Sequence, residues 1–164
     1  MQTSMWSITR SAAVRLRLLG AVLLTLGLAL PASAALGGDL SSVEADRAQM
    51  KAMVKITETE GYTVHEMKTG IGTVVREYVS PEGRVFGVAW QGPFIPNMQQ
   101  LLGTYFQQFS AAAKAAQASY HGRRPLSIQE PGLVVQSSGH MRAYWGRAYD
   151  PGLVPQGIKP EEIR

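Results

Sequence analysis

The sequence predicts an α+β domain in which an antiparallel sheet of about five strands is packed by one long amphipathic helix, with a short helix at the N-terminal end. Three stretches carry this prediction: a hairpin over Thr73–Trp90, a helical repeat over Met98–Ala116, and a second hairpin that joins Leu133–Gln136 to His140–Tyr149. A single strand over Tyr62–Lys68 completes the five.

The first hairpin is the clearest local structure in the chain. Pro81 presets φ for a type I turn, and Gly83 supplies the positive-φ residue of a bulged loop. This turn predicts the following pairs: Val79 with Val85, Tyr78 with Phe86, Arg76 with Val88, and Val74 with Trp90. Both faces of the hairpin are then apolar, so we expect a central position in the sheet with at least one face covered.

The helical repeat lies directly after the hairpin. Pro96 or Asn97 begins the helix, and Gly103 interrupts it. Its apolar side chains recur at three- and four-residue spacing: Met98, Leu101, Leu102, Tyr105, Phe106, Phe109, Ala112, Ala113 and Ala116. A stripe of this width predicts a helix that lies on a sheet.

The two ends of the domain are less regular. Ser41–Glu44 matches a capping box, which predicts a short helix from about Ser42 to Lys55. A proline-rich tail begins at about Asp150, and we expect it to run extended over the surface with a helical turn at Pro160–Glu162.

The first 34 residues have the features of a secretory signal peptide. Three arginines precede an apolar run at Leu18–Leu30, and small residues follow at Pro31–Ala34, so we expect cleavage after Ala34. The apolar run is shorter than the ~20 residues that a membrane-spanning helix needs. We therefore expect a periplasmic or secreted domain over residues 35–164 with no stable membrane span after cleavage, and the sequence leaves the choice between periplasm and medium open.

Charge and cysteine content exclude several classes of function. Three of the 16 basic residues lie in the leader and none of the 12 acidic residues does, so the domain carries 13 basic against 12 acidic side chains. This balance disfavours a nucleic-acid partner. The chain has no cysteine, so no disulfide stabilises the exported domain. The sequence predicts no cofactor and leaves the oligomeric state open.

Several short segments resemble an uncharacterised family of exported bacterial proteins, domain of unknown function family number 2844. The segments are Ala35–Gly38 with Ser42, Val43 and Asp46, Val75–Tyr78, Gly83–Phe86, Ala89–Pro93, Leu101–Gly103, Leu133–Val135 and Gly139–Arg142. The resemblance covers nearly the whole of residues 35–164. It implies an exported protein and no particular activity, ligand or catalytic residue.

One candidate site lies around His140, Arg142 and Tyr144, with Glu77 as a further candidate for acid–base chemistry on the same exposed face of the sheet. Histidine, arginine and tyrosine suit acid–base chemistry, and histidine with methionine suits copper, with His65 as a second histidine. The histidines lack the spacing of a closed ligand set. Alternation along a strand predicts His140, Arg142 and Tyr144 on one side of it and Met141, Ala143 and Trp145 on the other.

A second candidate is the apolar face of the sheet that the long helix leaves uncovered. An exposed apolar face is typical of a partner or an apolar-ligand surface; alternatively, the N-terminal helix or the tail covers it. We predict an exported binding or accessory protein of the cell envelope, whose partner is an envelope protein or an apolar ligand, rather than an enzyme. The predicted contact residues are Trp90, His140, Arg142, Tyr144 and Trp145, and the alternative is an enzyme or metal-binding protein with its site around His140, Arg142 and Tyr144.

Overall fold

The computed structural model describes residues 36–119 and 125–164. The helices are α1 (Leu40–Met50), α2 (Met98–Leu102) and α3 (Phe106–Ser119), and the strands are β1 (Met53–Thr59), β2 (Tyr62–Lys68), β3 (Val74–Val79), β4 (Val85–Gly92), β5 (Leu126–Glu130), β6 (Leu133–His140) and β7 (Ala143–Tyr149). Short 3-10 turns occur at Gly103–Tyr105 and Pro160–Glu162. The predicted signal peptide and its cleavage site lie outside the described residues.

The strands form one antiparallel sheet of seven, in the order β1-β2-β3-β4-β7-β6-β5. The α+β class is as predicted, but the prediction of five strands is wrong because it missed the two edge strands. Few side chains of the two edge strands are buried: Ile128 is the only buried residue of β5, and β1 has none. Strands with so little burial lack the hydrophobic alternation that identifies a strand in a sequence.

The first helix ends earlier than predicted, and β1 occupies the remainder of the predicted helix. Lys51 adopts a left-handed conformation with φ of 48°, which ends α1 and turns the chain into β1. The N-cap is Asp39 rather than a serine, because its carboxylate accepts hydrogen bonds from the main-chain N–H groups of Ser41 and Ser42 at 2.9 and 3.2 Å.

The central hairpin contains a bulge that shifts its register by one residue. Val79 pairs with Val85 as predicted, but Tyr78 pairs with Gly87 instead of Phe86, and the remaining pairs shift accordingly. A one-residue shift exchanges the faces of a strand. Val88 and Trp90 therefore lie on the same face as Val75 and Val79, whereas Phe86 packs with Tyr78 on the other face.

The helical segment covers residues 98–119, in agreement with the apolar stripe. Asn97 caps it by accepting hydrogen bonds from the N–H groups of Gln99 and Gln100. At Gly103, where φ is 49°, the helix narrows into the 3-10 turn before α3 begins. Leu101 and Leu102 are fully buried. The helices and the sheet enclose the main core: Leu36, Val43, Met67, Val75, Val79, Val85, Val88, Trp90, Leu101, Leu102, Ile128, Leu133, Val135 and Ala148.

The other face of the sheet is covered in part by the C-terminal tail, residues 150–164. Tail residues Leu153, Val154, Ile158 and Ile163 pack on a second apolar cluster that contains Tyr78, Phe86 and Ala89. The expected helical turn is present at Pro160–Glu162. The tail thus covers apolar surface on the central hairpin, one of the two arrangements that the sequence left open for this face. No described helix is long and apolar enough to cross a membrane.

Candidate functional site

Trp90 is a core residue. Its side chain is 2 % exposed, and it lies against β7, where a Cβ atom on Gly146 would be only 2.2 Å from Cζ2 of the indole. The indole Nε1 has no hydrogen-bond acceptor among the described residues. Trp90 is therefore inaccessible to a ligand at the surface in this conformation.

The other four predicted contact residues lie at the far end of the β6–β7 hairpin. Its turn is at Met141–Arg142 instead of the predicted Ser137–Gly139, because these three residues continue β6. His140 pairs with Ala143, and Gly139 pairs with Tyr144, so His140 and Tyr144 lie on opposite faces. Arg142 is exposed in the turn, and Trp145 is 52 % exposed on the same face as His140. The contact role of these residues stays a prediction.

The C-terminal tail is fastened to the second face of the sheet by both packing and hydrogen bonds. Ile163 is fully buried and fits over Gly87, where a Cβ atom would be 2.8 Å from its Cδ1. The Tyr78 hydroxyl donates to the Arg164 main-chain oxygen at 2.7 Å and accepts from the Arg164 N–H at 2.9 Å. Arg147 donates to the Pro160 carbonyl at 2.6 Å. These contacts hold the tail as a fixed wall above the strands.

A cleft of about 760 Å³ lies between this wall and the edge half of the sheet. Its floor is formed by side chains of β1 to β4 that share one face, and its wall by the last residues of the tail. The lining residues are Lys55, Thr57, Tyr62, Val64, Glu66, Arg76, Tyr78, Gln91, Lys159, Glu161, Glu162 and Arg164. The register explains the floor, because Thr57, Val64 and Tyr78 are successive partners across three strands.

Some of the charges in the cleft are already paired. Glu66 and Arg76 form an ion pair of 2.7 Å between neighbouring strands. The Glu162 carboxylate accepts from the Tyr62 hydroxyl at 3.3 Å and from the main-chain N–H of Lys159 at 3.0 Å. Burial raises the pKa of Tyr62, and the nearby Glu162 carboxylate raises it further, so this hydroxyl keeps its proton at neutral pH.

Three cationic side chains in the cleft have no such partner. Within the described part of the chain, no carboxylate oxygen lies within 4.0 Å of the side-chain nitrogens of Lys55, Lys159 or Arg164. Lys55 projects from the floor, whereas Lys159 and Arg164 belong to the wall. The cleft therefore has positive groups on two sides that are available to a ligand.

A second polar cluster is buried on the helix face of the sheet. Glu77 of β3 and Asp46 of α1 are both fully buried, so the expectation that Glu77 lies on an exposed face with His140 is wrong. The side-chain amide of Gln100 in α2 donates to Asp46 Oδ1 at 2.9 Å. Burial raises the pKa of Glu77 to about 9, and the Asp46 carboxyl adds to this rise through its charge and a hydrogen bond. At neutral pH, Glu77 is therefore protonated and adds no second negative charge beside Asp46.

His65 completes this cluster as the strand partner of Glu77. It is 7 % exposed, its Nδ1 has no hydrogen-bond partner among the described residues, and burial lowers its pKa. A pair of carboxyl groups is a common arrangement for acid–base catalysis. Here both carboxyl groups are buried beneath the helices, and neither lines the cleft. The pair therefore has a structural role at the contact between α1 and the sheet.

Sequence reasoning missed the cleft because its residues come from five separate segments. The tail contributes four of them, and its position depends on the burial of Ile163 against Gly87. A partial signal was present, because Tyr62, Val64 and Glu66 alternate with the buried residues His65 and Met67. The described residues contain no group of three or more potential metal ligands among His, Asp and Glu.

The fold and the cleft together define an α+β protein whose antiparallel sheet has helices on one face and a tail-walled cleft on the other. The family model described as Protein of unknown function (DUF2844) matches residues 32–163, so the chain belongs to this family. No curated protein and no solved structure matches the chain. Membership of this family, which the short sequence segments suggested, is thereby confirmed, and export of the chain stays a prediction.

Proposed function

We propose that this chain is an exported binding protein of the bacterial cell envelope that holds its ligand in the cleft between β1–β4 and the C-terminal tail. The observation that carries the proposal is the cleft itself. Its volume of about 760 Å³ falls within the range of roughly 300–1,000 Å³ that is typical of small-molecule sites. Fixed hydrogen bonds hold its wall in place, so the site is formed before a ligand arrives.

The cleft combines apolar surface with polar groups. Tyr62 and Val64 are half-buried and line the floor. The Tyr62 ring packs 5.8 Å from the ring of Tyr78, which is 3 % exposed, so Tyr62 supplies the accessible aromatic surface of the floor. Apolar floor with a few convergent polar groups is the usual composition of a ligand site.

The role we propose is binding rather than turnover. The tyrosines of the cleft are engaged as hydrogen-bond partners of the tail, and burial raises the pKa of both Tyr62 and Tyr78. Hydroxyl groups that are held by the tail in this way have fixed positions, which suits them to orienting a bound ligand.

Export is supported by the arginine-containing leader, its 13-residue apolar run and the small residues at Pro31–Ala34. Expression of the full chain in a Gram-negative bacterium, followed by fractionation and N-terminal sequencing, tests it. We expect the protein in the periplasmic fraction or the medium with Ala35 as its first residue. An intact N-terminus in the cytoplasmic fraction would contradict export.

Ligand binding is tested by native mass spectrometry of the protein purified from the envelope under mild conditions. We expect a mass in excess of the chain that is lost on denaturation. Thr57→Trp places a bulky ring on the cleft floor and should abolish the excess mass, whereas Lys114→Trp, on an exposed position of α3, should retain it. Equal retention in both variants would show that the bound molecule lies elsewhere.

A further inference from the structure

We infer that the ligand of the cleft carries an anionic group, a carboxylate or a phosphate, which Lys55, Lys159 and Arg164 bind, attached to an apolar or aromatic portion that lies on Tyr62 and Val64. This inference rests on the proposed function, because it names the chemistry of a ligand in the same cleft.

The charges that remain after internal pairing give the cleft its selectivity. Glu66 forms an ion pair with Arg76. Glu162 accepts hydrogen bonds from two neutral donors, the Tyr62 hydroxyl and the Lys159 main-chain N–H, so it keeps its negative charge, as does Glu161. Three cationic side chains therefore stand against two carboxylates, and the side chains left to meet a ligand carry one more positive than negative charge.

The placement of these cations favours one anionic group between them. Lys55 lies on β1, Lys159 and Arg164 lie in the tail, and all three line the cleft, so cations are present on both its floor and its wall. A cleft with low-dielectric walls concentrates the field of such charges. Charge-assisted hydrogen bonds from lysine and arginine to carboxylate or phosphate are about twice as strong as neutral ones.

The floor provides the second part of the recognition. In register, Val64 lies between Thr57 and Tyr78, and the Tyr62 ring lies beside the Tyr78 ring. A flat ring or a short apolar chain covers this section and displaces water from it, which favours binding at about 25 cal/mol per Å² of apolar area. An anion without an apolar portion lacks this contribution.

Four probes that share a ring and differ in charge test the inference: benzoate, phenyl phosphate, benzyl alcohol and benzylammonium. Each is titrated at low salt into isotope-labelled protein purified from the envelope, and the resonances of Tyr62 and Val64 are followed by NMR. We expect saturable shifts with benzoate and phenyl phosphate and none with the neutral or cationic probe. The stronger of the two anions identifies carboxylate or phosphate as the preferred group.

Matched variants identify the residues that bind the anion. Lys55→Gln and Lys159→Gln should each weaken the better anionic probe about tenfold, which corresponds to the loss of one charge-assisted hydrogen bond. Lys114→Gln removes the same charge from the exposed face of α3 and should leave the affinity unchanged. Raising the salt concentration should weaken binding to the unsubstituted protein more than to the Lys55→Gln variant.

Two results would overturn the inference: no saturable shift with either anion, or binding of benzylammonium at least as tight as that of benzoate. Neither result decides the proposed function, which is tested separately by whether Thr57→Trp removes the excess mass, whatever the charge of the ligand. If Thr57→Trp removes that mass and benzylammonium binds tightly, the cleft holds a ligand but selects cations through Glu161.

Discussion

Glu77 and Asp46 meet as two fully buried carboxyl groups at the point where α1 lies on the third strand of the sheet. Gln100 donates to the same Asp46 carboxyl from α2. The cluster therefore brings together the N-terminal helix, the sheet and the main helical segment, and it depends on Glu77 remaining protonated. Removal of that proton would leave two adjacent negative charges in the core, which is strongly unfavourable.

The first prediction concerns the pH dependence of stability. Glu77 releases its proton near its usual pKa of 4.5 in the unfolded chain but near 9 in the folded protein. Between these values the folded state holds the extra proton, so this contribution to stability falls as pH rises, by up to about 1.4 kcal/mol per pH unit. Urea unfolding at intervals from pH 7 to 9 measures the slope.

The interval from pH 7 to 9 isolates Glu77 from the other shifted groups. Burial lowers the pKa of His65, and hydrogen bonds lower the pKa values of Asp39 and Glu82, so these groups change the pH dependence of stability only below about pH 6.5. The tyrosines change it only above about pH 10. Glu77→Gln should flatten the slope, whereas Glu82→Gln, in the exposed turn, should leave it unchanged. A slope that persists in Glu77→Gln would refute the assignment.

The second prediction concerns the contact between Trp90 and Gly146. Gly146→Ala places a methyl group 2.2 Å from the indole and 2.8 Å from the Gln136 carbonyl oxygen, and the buried ring cannot move away freely. We expect a loss of about 1–3 kcal/mol or more in the free energy of unfolding. Gly70→Ala is the matched control, since a Cβ there has no neighbour within 4 Å. Equal stability of the two variants would mean that Trp90 and Gly146 are not in contact.

The third prediction tests the tail as a wall of the cleft. Ile163→Ala removes a fully buried side chain and should destabilise the protein by about 2–5 kcal/mol, with faster amide hydrogen exchange across residues 150–164. Ile95→Ala, at a position that is 53 % exposed, should change stability by less than about 0.5 kcal/mol. Slow exchange of the tail in the Ile163→Ala variant would show that the tail is held without Ile163.

The local signals of the sequence predicted the centre of the fold. The turn at Pro81 and Gly83, the strand Tyr62–Lys68 and the helix start at Asn97 all depend on residues close together in the chain. The edge strands were missed because few of their side chains are buried, which leaves little hydrophobic alternation in their sequence. The hairpin register was wrong beyond Val79, since the bulge at Phe86 depends on what packs against each face of the sheet.

The tail and the cleft could be predicted only in part for the same reason. The helical turn at Pro160–Glu162 follows from a local proline signal, but its docking site depends on Gly87, more than 70 positions earlier in the chain. Gly87 in the middle of an apolar strand marks a place where another side chain approaches closely. The buried pair of Glu77 and Asp46 is similarly non-local, because an isolated glutamate in a strand gives no sign of its partner.

The central claim is that the cleft holds a ligand in the cell envelope. Its most direct test is a photo-crosslinking amino acid at position 57, on the cleft floor, compared with the same amino acid at position 114 on α3. Illumination of living cells and mass spectrometry of the recovered protein should give a discrete adduct from position 57 and none from position 114. No adduct at position 57, or the same adducts at both positions, would contradict the claim.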